Sequence, residues 1–115
     1  MQFNIIRTDH YTLFQLKEKN LNSLLAPELK SEFVVIRNNG DQNLILDLEE
    51  VEYIDSSGLS AILTANRLWK DFGHFILINI KHEPIERLIK ISRLETILSI
   101  YPSLEDALQE ELIEE

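Results

Sequence analysis

Apolar residues recur along the chain in two alternating periods. Phe3–Arg7 and Tyr11–Leu16 are short apolar-rich segments separated by Thr8, Asp9 and His10, which suit a turn. They predict two strands joined as a hairpin. Leu25, Leu29, Phe33 and Ile36 follow at spacings of four, four and three, which is one face of a helix. Pro27 falls in its first turn, where a missing N–H costs little. Asn38, Asn39, Gly40 and Asp41 form a break. The nearly continuous run Leu44–Leu48 predicts a central strand buried on both faces, and a loop from Glu49 to Asp55 leads to Ser56.

From Leu59 to Phe72 the period is helical. Leu59, Ala61, Ile62, Leu63, Ala65, Leu68, Trp69 and Phe72 cover one broad arc, and Ser56, Ser57, Ser60, Thr64, Arg67, Lys70 and Asp71 cover the rest. Trp69 and Phe72 thus read as core residues. Gly73 is a predicted helix end. Phe75–Ile80 is another apolar strand, Pro84 opens a short helix over Ile85–Ile91, and Thr96–Tyr101 is a weaker strand. Ser103, with Asp106 three residues on, resembles a capping box for a final helix. Strands alternating with helices after an initial hairpin predict an α/β fold. The expected architecture is a four- to five-stranded mixed sheet with about four helices mainly on one face.

Length and composition narrow the function more than the fold. A chain of 115 residues fits a single domain, 1–115, with one core. There is no cysteine, so disulfides and thiolate metal sites are excluded. No apolar run approaches a membrane span, and the first ten residues lack the basic-then-apolar order of a signal peptide, so a cytoplasmic location is expected. Eleven basic against twenty acidic residues give a net charge of −9, with Lys and Arg scattered. Nucleic acid is therefore not an expected partner. The acidic residues Glu49, Glu50 and Glu52 and the tail from Glu105 to Glu115 read as solvated surface, or as a field steering a basic partner.

The sharpest local feature is Asp55-Ser56-Ser57-Gly58, placed after a strand and loop and opening a helix. Such residues suit a capped helix start and need mean nothing more, since Asp and Ser cap well and Gly permits close packing. The same geometry presents a serine hydroxyl at a helix N-terminus, where an added phosphate meets unpaired N–H groups and a favourable dipole.

Leu44-Ile45-Leu46-Asp47-Leu48-Glu49-Glu50-Val51-Glu52-Tyr53-Ile54-Asp55-Ser56-Ser57-Gly58-Leu59 resembles the core of STAS domains, the family of bacterial anti-sigma factor antagonists. There a buried strand, an acidic loop and an Asp-Ser-Ser-Gly-Leu turn follow in the same order. Gly73, Pro84, Leu88, the Ile91–Leu94 turn and Ser103-Leu104-Glu105-Asp106-Ala107-Leu108 extend the resemblance downstream. It implies a STAS-like fold and a non-enzymatic signalling protein of transcription regulation. That protein would bind an anti-sigma factor or related serine kinase and so release a sigma factor. It implies phosphorylation at Ser56, the serine directly after the Asp, reversed by a phosphatase. Asp55, Ser57, Gly58, Ser60, Thr64 and Arg67 are the candidate partner-binding residues. The family commonly carries Gly-x-Leu-Asp ahead of the first helix, in a loop near the partner surface. This chain has Lys19-Asn20-Leu21-Asn22 instead, which bears on which partner is bound.

Other chemistry finds little support. His10, His74 and His82 lie in separate segments without metal-ligand spacing, and no cofactor is expected. Ser56 lacks a Gly-x-Ser-x-Gly elbow and an evident His partner, and no nucleotide-binding glycine loop is present. Catalysis is not expected. The alternative to a phosphorylated antagonist is a STAS module that regulates a transporter ATPase or a signalling scaffold without being phosphorylated.

Overall fold

The computed structural model describes residues 1–112. Strand β1 (Phe3–Arg7) runs antiparallel to β2 (Thr12–Leu16), with Phe3 opposite Leu16 and Arg7 opposite Thr12. A short strand β3 (Asn20–Leu21) precedes helix α1 (Ala26–Asn38). Next come β4 (Asn43–Asp47), a short β5 (Tyr53–Ile54) and helix α2 (Ser56–Trp69). Strand β6 (His74–Ile78), helix α3 (Glu83–Ile91), a single 3-10 turn over Leu94–Thr96, β7 (Ser99–Tyr101) and helix α4 (Leu104–Glu110) complete the order. The main sheet has five strands in the order β1-β2-β4-β6-β7, all parallel except the initial hairpin. The fold is the mixed α/β architecture that the alternation predicts, with β4 at its centre.

Alternation along the central strands divides the core between two faces. Leu44, Leu46 and Leu48, with Phe75 and Leu77 of β6, meet Leu29, Phe33 and Ile36 of α1 and Ala61, Ile62, Ala65 and Trp69 of α2. Ile45, Ile76 and Ile78 point the other way, against Ala107 of α4 and Leu112. A strand covered on both faces loses its polar alternation, which is why Leu44–Leu48 reads as a continuous apolar run. Helices α1, α2 and α3 share one face and α4 covers part of the other. No described helix is long and apolar enough to cross a membrane.

Three details depart from the sequence reading. The stretch Glu49–Asp55, expected to be loop, contains β5, which pairs in parallel with β3 in a separate two-stranded sheet. Neither has a period to read, because each is two residues long. Helix α2 does start at Ser56, as the Asp55-Ser56-Ser57-Gly58 motif predicts, with a polar, capped first turn before the first apolar position at Leu59. The last strand is shortened to Ser99–Tyr101, since Leu94–Thr96 coils first to bury Leu94. Gly73 does not end α2 through a left-handed turn, as Gly40 is the one glycine at positive φ among the described residues. Its need is spatial, because a Cβ at Gly73 would lie 1.8 Å from the Gln42 carbonyl oxygen.

Two polar anchors hold the layers in register. The Trp69 indole Nε1 donates to the Asp41 backbone oxygen at 2.9 Å, so this fully buried ring is satisfied. The Asp41 carboxylate accepts from Arg7 of β1, Thr12 of β2 and Asn39 at the end of α1. Desolvation opposes its ionisation, but these hydrogen bonds and the Arg7 charge outweigh it and hold the carboxyl below its usual range. At the end of α2, the Arg37 guanidinium lies 3.5 Å from the centre of the half-buried Phe72 ring and donates to the Leu68 carbonyl.

Candidate functional site

The Asp55-Ser56-Ser57-Gly58 turn is fixed by pairing on both sides. Lys19 supplies one carbonyl to the N–H groups of both Glu52 and Tyr53, at 2.7 and 3.1 Å. Leu21 supplies its carbonyl to Asp55 N–H at 3.2 Å, so β3 and β5 deliver Asp55 to the start of α2. Asp55 adopts an extended backbone and caps the helix, its Oδ1 accepting from Gly58 N–H at 2.9 Å. Its Oδ2 accepts from Ser23 N–H at 3.2 Å. One carboxylate thus ties the first turn of α2 to the loop entering α1.

Asn22 organises that loop. Its side-chain oxygen accepts from Leu24 N–H at 3.0 Å, and its backbone carbonyl accepts from Leu25 and Ala26 at 3.1 and 2.8 Å. The amide oxygen closes the turn that a carboxylate would close, so Asn in place of the family Asp keeps this loop's local geometry while removing a charge.

The structure sorts the candidate residues by what each can reach. Ser56 and Asp55 are exposed, and the Ser56 hydroxyl has no hydrogen-bond partner among the described residues. Ser57 and Ser60 are half-buried beside it. Thr64 donates to the Ser60 carbonyl at 2.9 Å, and the exposed Arg67 reaches back to the Thr64 hydroxyl at 3.2 Å. Ser60, Thr64 and Arg67 therefore form one ridge along α2. Gly58 differs from the rest. It is buried, and a Cβ there would sit 2.3 Å from the Leu21 carbonyl oxygen and 3.0 Å from Ile54 Cγ2. It seats α2 against β3 and does not itself reach an outside surface.

Two apolar side chains that the sequence reading passed over flank the turn. Leu24 is 85% exposed beside Ser23, and Tyr53 is 58% exposed two residues before Asp55. Leu24 lies off the Leu25–Leu29–Phe33–Ile36 face, which is the signal that could have marked it as outward. Between the starts of α1 and α2 lies a cleft of about 260 Å³, lined by Ser23, Ala26, Pro27, Lys30, Ser56, Ser57 and Ser60. The histidines lie elsewhere. His74 contacts Glu111 through Nδ1 at 2.9 Å, His10 lies in the turn between β1 and β2, and His82 directly precedes α3.

Comparison with known proteins places this geometry among relatives. The STAS domain family model matches residues 3–107. A Thermotoga neapolitana protein that carries the provisional name of anti-sigma factor antagonist is 33% identical over 104 residues, 89% of each chain. A crystal structure of a Thermotoga maritima protein with the same provisional name superposes with a TM-score of 0.83 at 27% identity, covering 96% of this chain and 95% of that one. The phosphorylated form of a Bacillus cell fate determinant superposes with a TM-score of 0.70 at 19% identity, over 94% of this chain and 97% of that one. At that identity the last likeness bears on the fold.

Proposed function

The chain belongs to the STAS domain family, and from that premise we propose that it is an anti-sigma factor antagonist switched by phosphorylation of Ser56. It binds an anti-sigma factor that is also a serine kinase, through Asp55, Ser56 and Ser57, seated by the buried Gly58, and the Ser60–Thr64–Arg67 ridge. The kinase transfers the γ-phosphoryl group of ATP to Ser56 Oγ, forming the O–P bond as ADP leaves and the hydroxyl proton is lost. A phosphatase restores the serine. The protein acts by binding, not by catalysis.

The observation that carries this reading is the placement of Ser56. Its hydroxyl is exposed and uncommitted at the first position of a helix whose start is held by Asp55, Gly58 and the β3–β5 pair. The named relatives supply the partner class. A phosphate there adds about −1.5 to −2 charges. The helix terminus offsets ~0.3–1 kcal/mol of that, so the fold tolerates the group. A partner packed over the turn meets new bulk, new charge and a desolvation cost, so the modification blocks association. Leu24 and Tyr53, exposed on either side, give such a surface apolar contact area.

The test is incubation with a candidate anti-sigma kinase and ATP, followed by mass spectrometry of the Asp55–Lys70 segment. One phosphate on Ser56, absent from Ser56→Ala, is the expected result. Ser56→Ala should stay bound to the kinase in the presence of ATP, and Ser56→Asp should bind poorly. Phosphate transfer to Ser56→Ala at the wild-type rate would move the site elsewhere and end this assignment.

A further inference from the structure

The cleft beside Ser56 contains one cation. Lys30 lies on α1 one turn beyond Pro27, and both line the cleft opposite Ser56, Ser57 and Ser60 of α2. Most of the other basic residues of the described chain are committed or distant. Arg7 pairs with Asp41, Lys17 with Glu50 and Arg87 with Glu83, while Arg37 covers Phe72. Lys30 has no ion-pair or hydrogen-bond partner among the described residues and is half-buried, so its stem is confined while its amine lacks an anion. In a protein of net charge −9, an uncompensated lysine sharing a cleft with four serines, Ser23, Ser56, Ser57 and Ser60, is a specific electrostatic feature.

We infer that Lys30 is the intramolecular receiver of the Ser56 phosphate, drawing it into the cleft between α1 and α2. The inference rests on the reading of Ser56 as the phosphoacceptor and deepens it. At about 260 Å³ the cleft holds several water-sized volumes, room for a phosphoryl group. A lysine amine is a compact point charge on a flexible stem, able to follow the group without fixed fork geometry. Before modification Lys30 is available to an acidic side chain of a partner. Afterwards it is neutralised from within, so the switch removes an attraction as well as adding a repulsion.

The experiment installs phosphoserine at position 56 of the full chain by codon suppression, so that it depends on no kinase. Phosphorus NMR then follows the phosphate's second ionisation, near pH 6 for a free phosphoserine. A cation about 5 Å away in a solvated cleft lowers that pKa by about half a unit. Lys30→Met should therefore raise it by about half a unit relative to the otherwise unaltered phosphoprotein, and Lys30→Arg should largely restore it. Lys70→Met, at the opposite end of α2, should leave it unchanged. The attraction of the helix terminus is common to all four proteins and cancels in the comparison. A second readout needs no substitution, because the Lys30 Cε and Hε resonances should move between the serine and phosphoserine forms and the Lys70 resonances should not. Identical phosphate titrations with and without Lys30, or unmoved Lys30 resonances, would overturn the inference. That result leaves the kinase experiment untouched, and a failed kinase experiment leaves this one interpretable.

Discussion

Replacing Gly58 by alanine sets two principles against each other. Glycine is the poorest ordinary helix residue, and alanine at an unhindered helical position gains ~0.8–1 kcal/mol. On propensity alone the variant should be more stable. The structure opposes this, because the new Cβ would stand 2.3 Å from the Leu21 carbonyl oxygen and 2.8 Å from Leu21 Cγ. The nearest obstacle is backbone, so no rotamer change relieves it. That same carbonyl accepts from Asp55 N–H, and Gly58 N–H donates to Asp55 Oδ1. Moving α2 away therefore strains the cap and the β3–β5 pairing together. Overpacking typically costs ~1–3 kcal/mol, and a lost cap adds ~1 kcal/mol. Subtracting the propensity gain leaves a net destabilisation of about 1–3 kcal/mol. Urea unfolding followed by Trp69 fluorescence reads it directly, with an unchanged slope and a lower midpoint. The melting temperature should fall by roughly 4 °C per kcal/mol for a domain of this size. A Gly58→Ala protein as stable as the wild type, or more so, would refute the close approach and the role assigned to this glycine.

Three other outcomes follow from the same geometry, besides those given for Lys30. Asp41 has a depressed pKa in the folded protein, so its contribution is complete above the ordinary carboxylate range near pH 4 and is lost as pH falls through the folded value. Asp41→Asn should accordingly lower stability at pH 7 and flatten the acid limb of a stability–pH curve measured by urea titration. An unaltered acid limb would dismiss the Arg7–Thr12–Asn39 cluster as its cause. Ser60→Ala and Arg67→Ala should each weaken partner binding by ~1 kcal/mol or more if either is an energetic anchor, while stability stays within about 0.5 kcal/mol. Calorimetric titration paired with unfolding separates the two, and equal losses in both would make the ridge structural. The Ser56→Ala and Ser56→Asp pair should move in opposite directions in partner pull-downs containing ATP.

What the sequence made legible was what local period or capping chemistry encodes. The Leu25–Ile36 face, the Leu44–Leu48 run and the Ser103 cap each arise from neighbours in the chain, and the structure shows Leu29, Phe33 and Ile36 buried and Ser103 accepting from Asp106 N–H. The candidate turn was legible for the same reason, since Asp55 caps a helix whose polar first turn, Ser56–Gly58, precedes its apolar pattern. The rest depends on residues far apart in sequence. The pairing of β3 with β5 joins Asn20–Leu21 to Tyr53–Ile54, and no two-residue segment announces a strand. The local pattern marks Gly73 as a helix terminator, whereas the constraint on it is the carbonyl of Gln42, the residue just before the neighbouring strand β4. Lys30 drew no attention because it is an ordinary charged position on α1, and only the packing of α1 beside α2 brings it to the serines.

The frame around Ser56 also bears on how a switch here can work at all. Reversing a binding equilibrium from 99:1 to 1:99 takes about 5.5 kcal/mol, comparable to the whole stability of a small domain. If that energy were drawn from the fold, modification would unfold the protein along with its surface. Here the groups that hold the turn are the Asp55 carboxylate, the Gly58 seat and the Lys19 and Leu21 carbonyls, and none of them is Ser56. The Ser56 hydroxyl has no partner among the described residues to lose, so its substitution by a phosphate ester subtracts no native hydrogen bond. On the proposed reading, the energetic consequence outside the inferred Lys30 contact then falls on whatever packs over the turn, where a dianion must be desolvated or expelled. A rigid frame with an uncommitted hydroxyl at its rim would thus let the proposed switch change association without drawing on the stability of the fold.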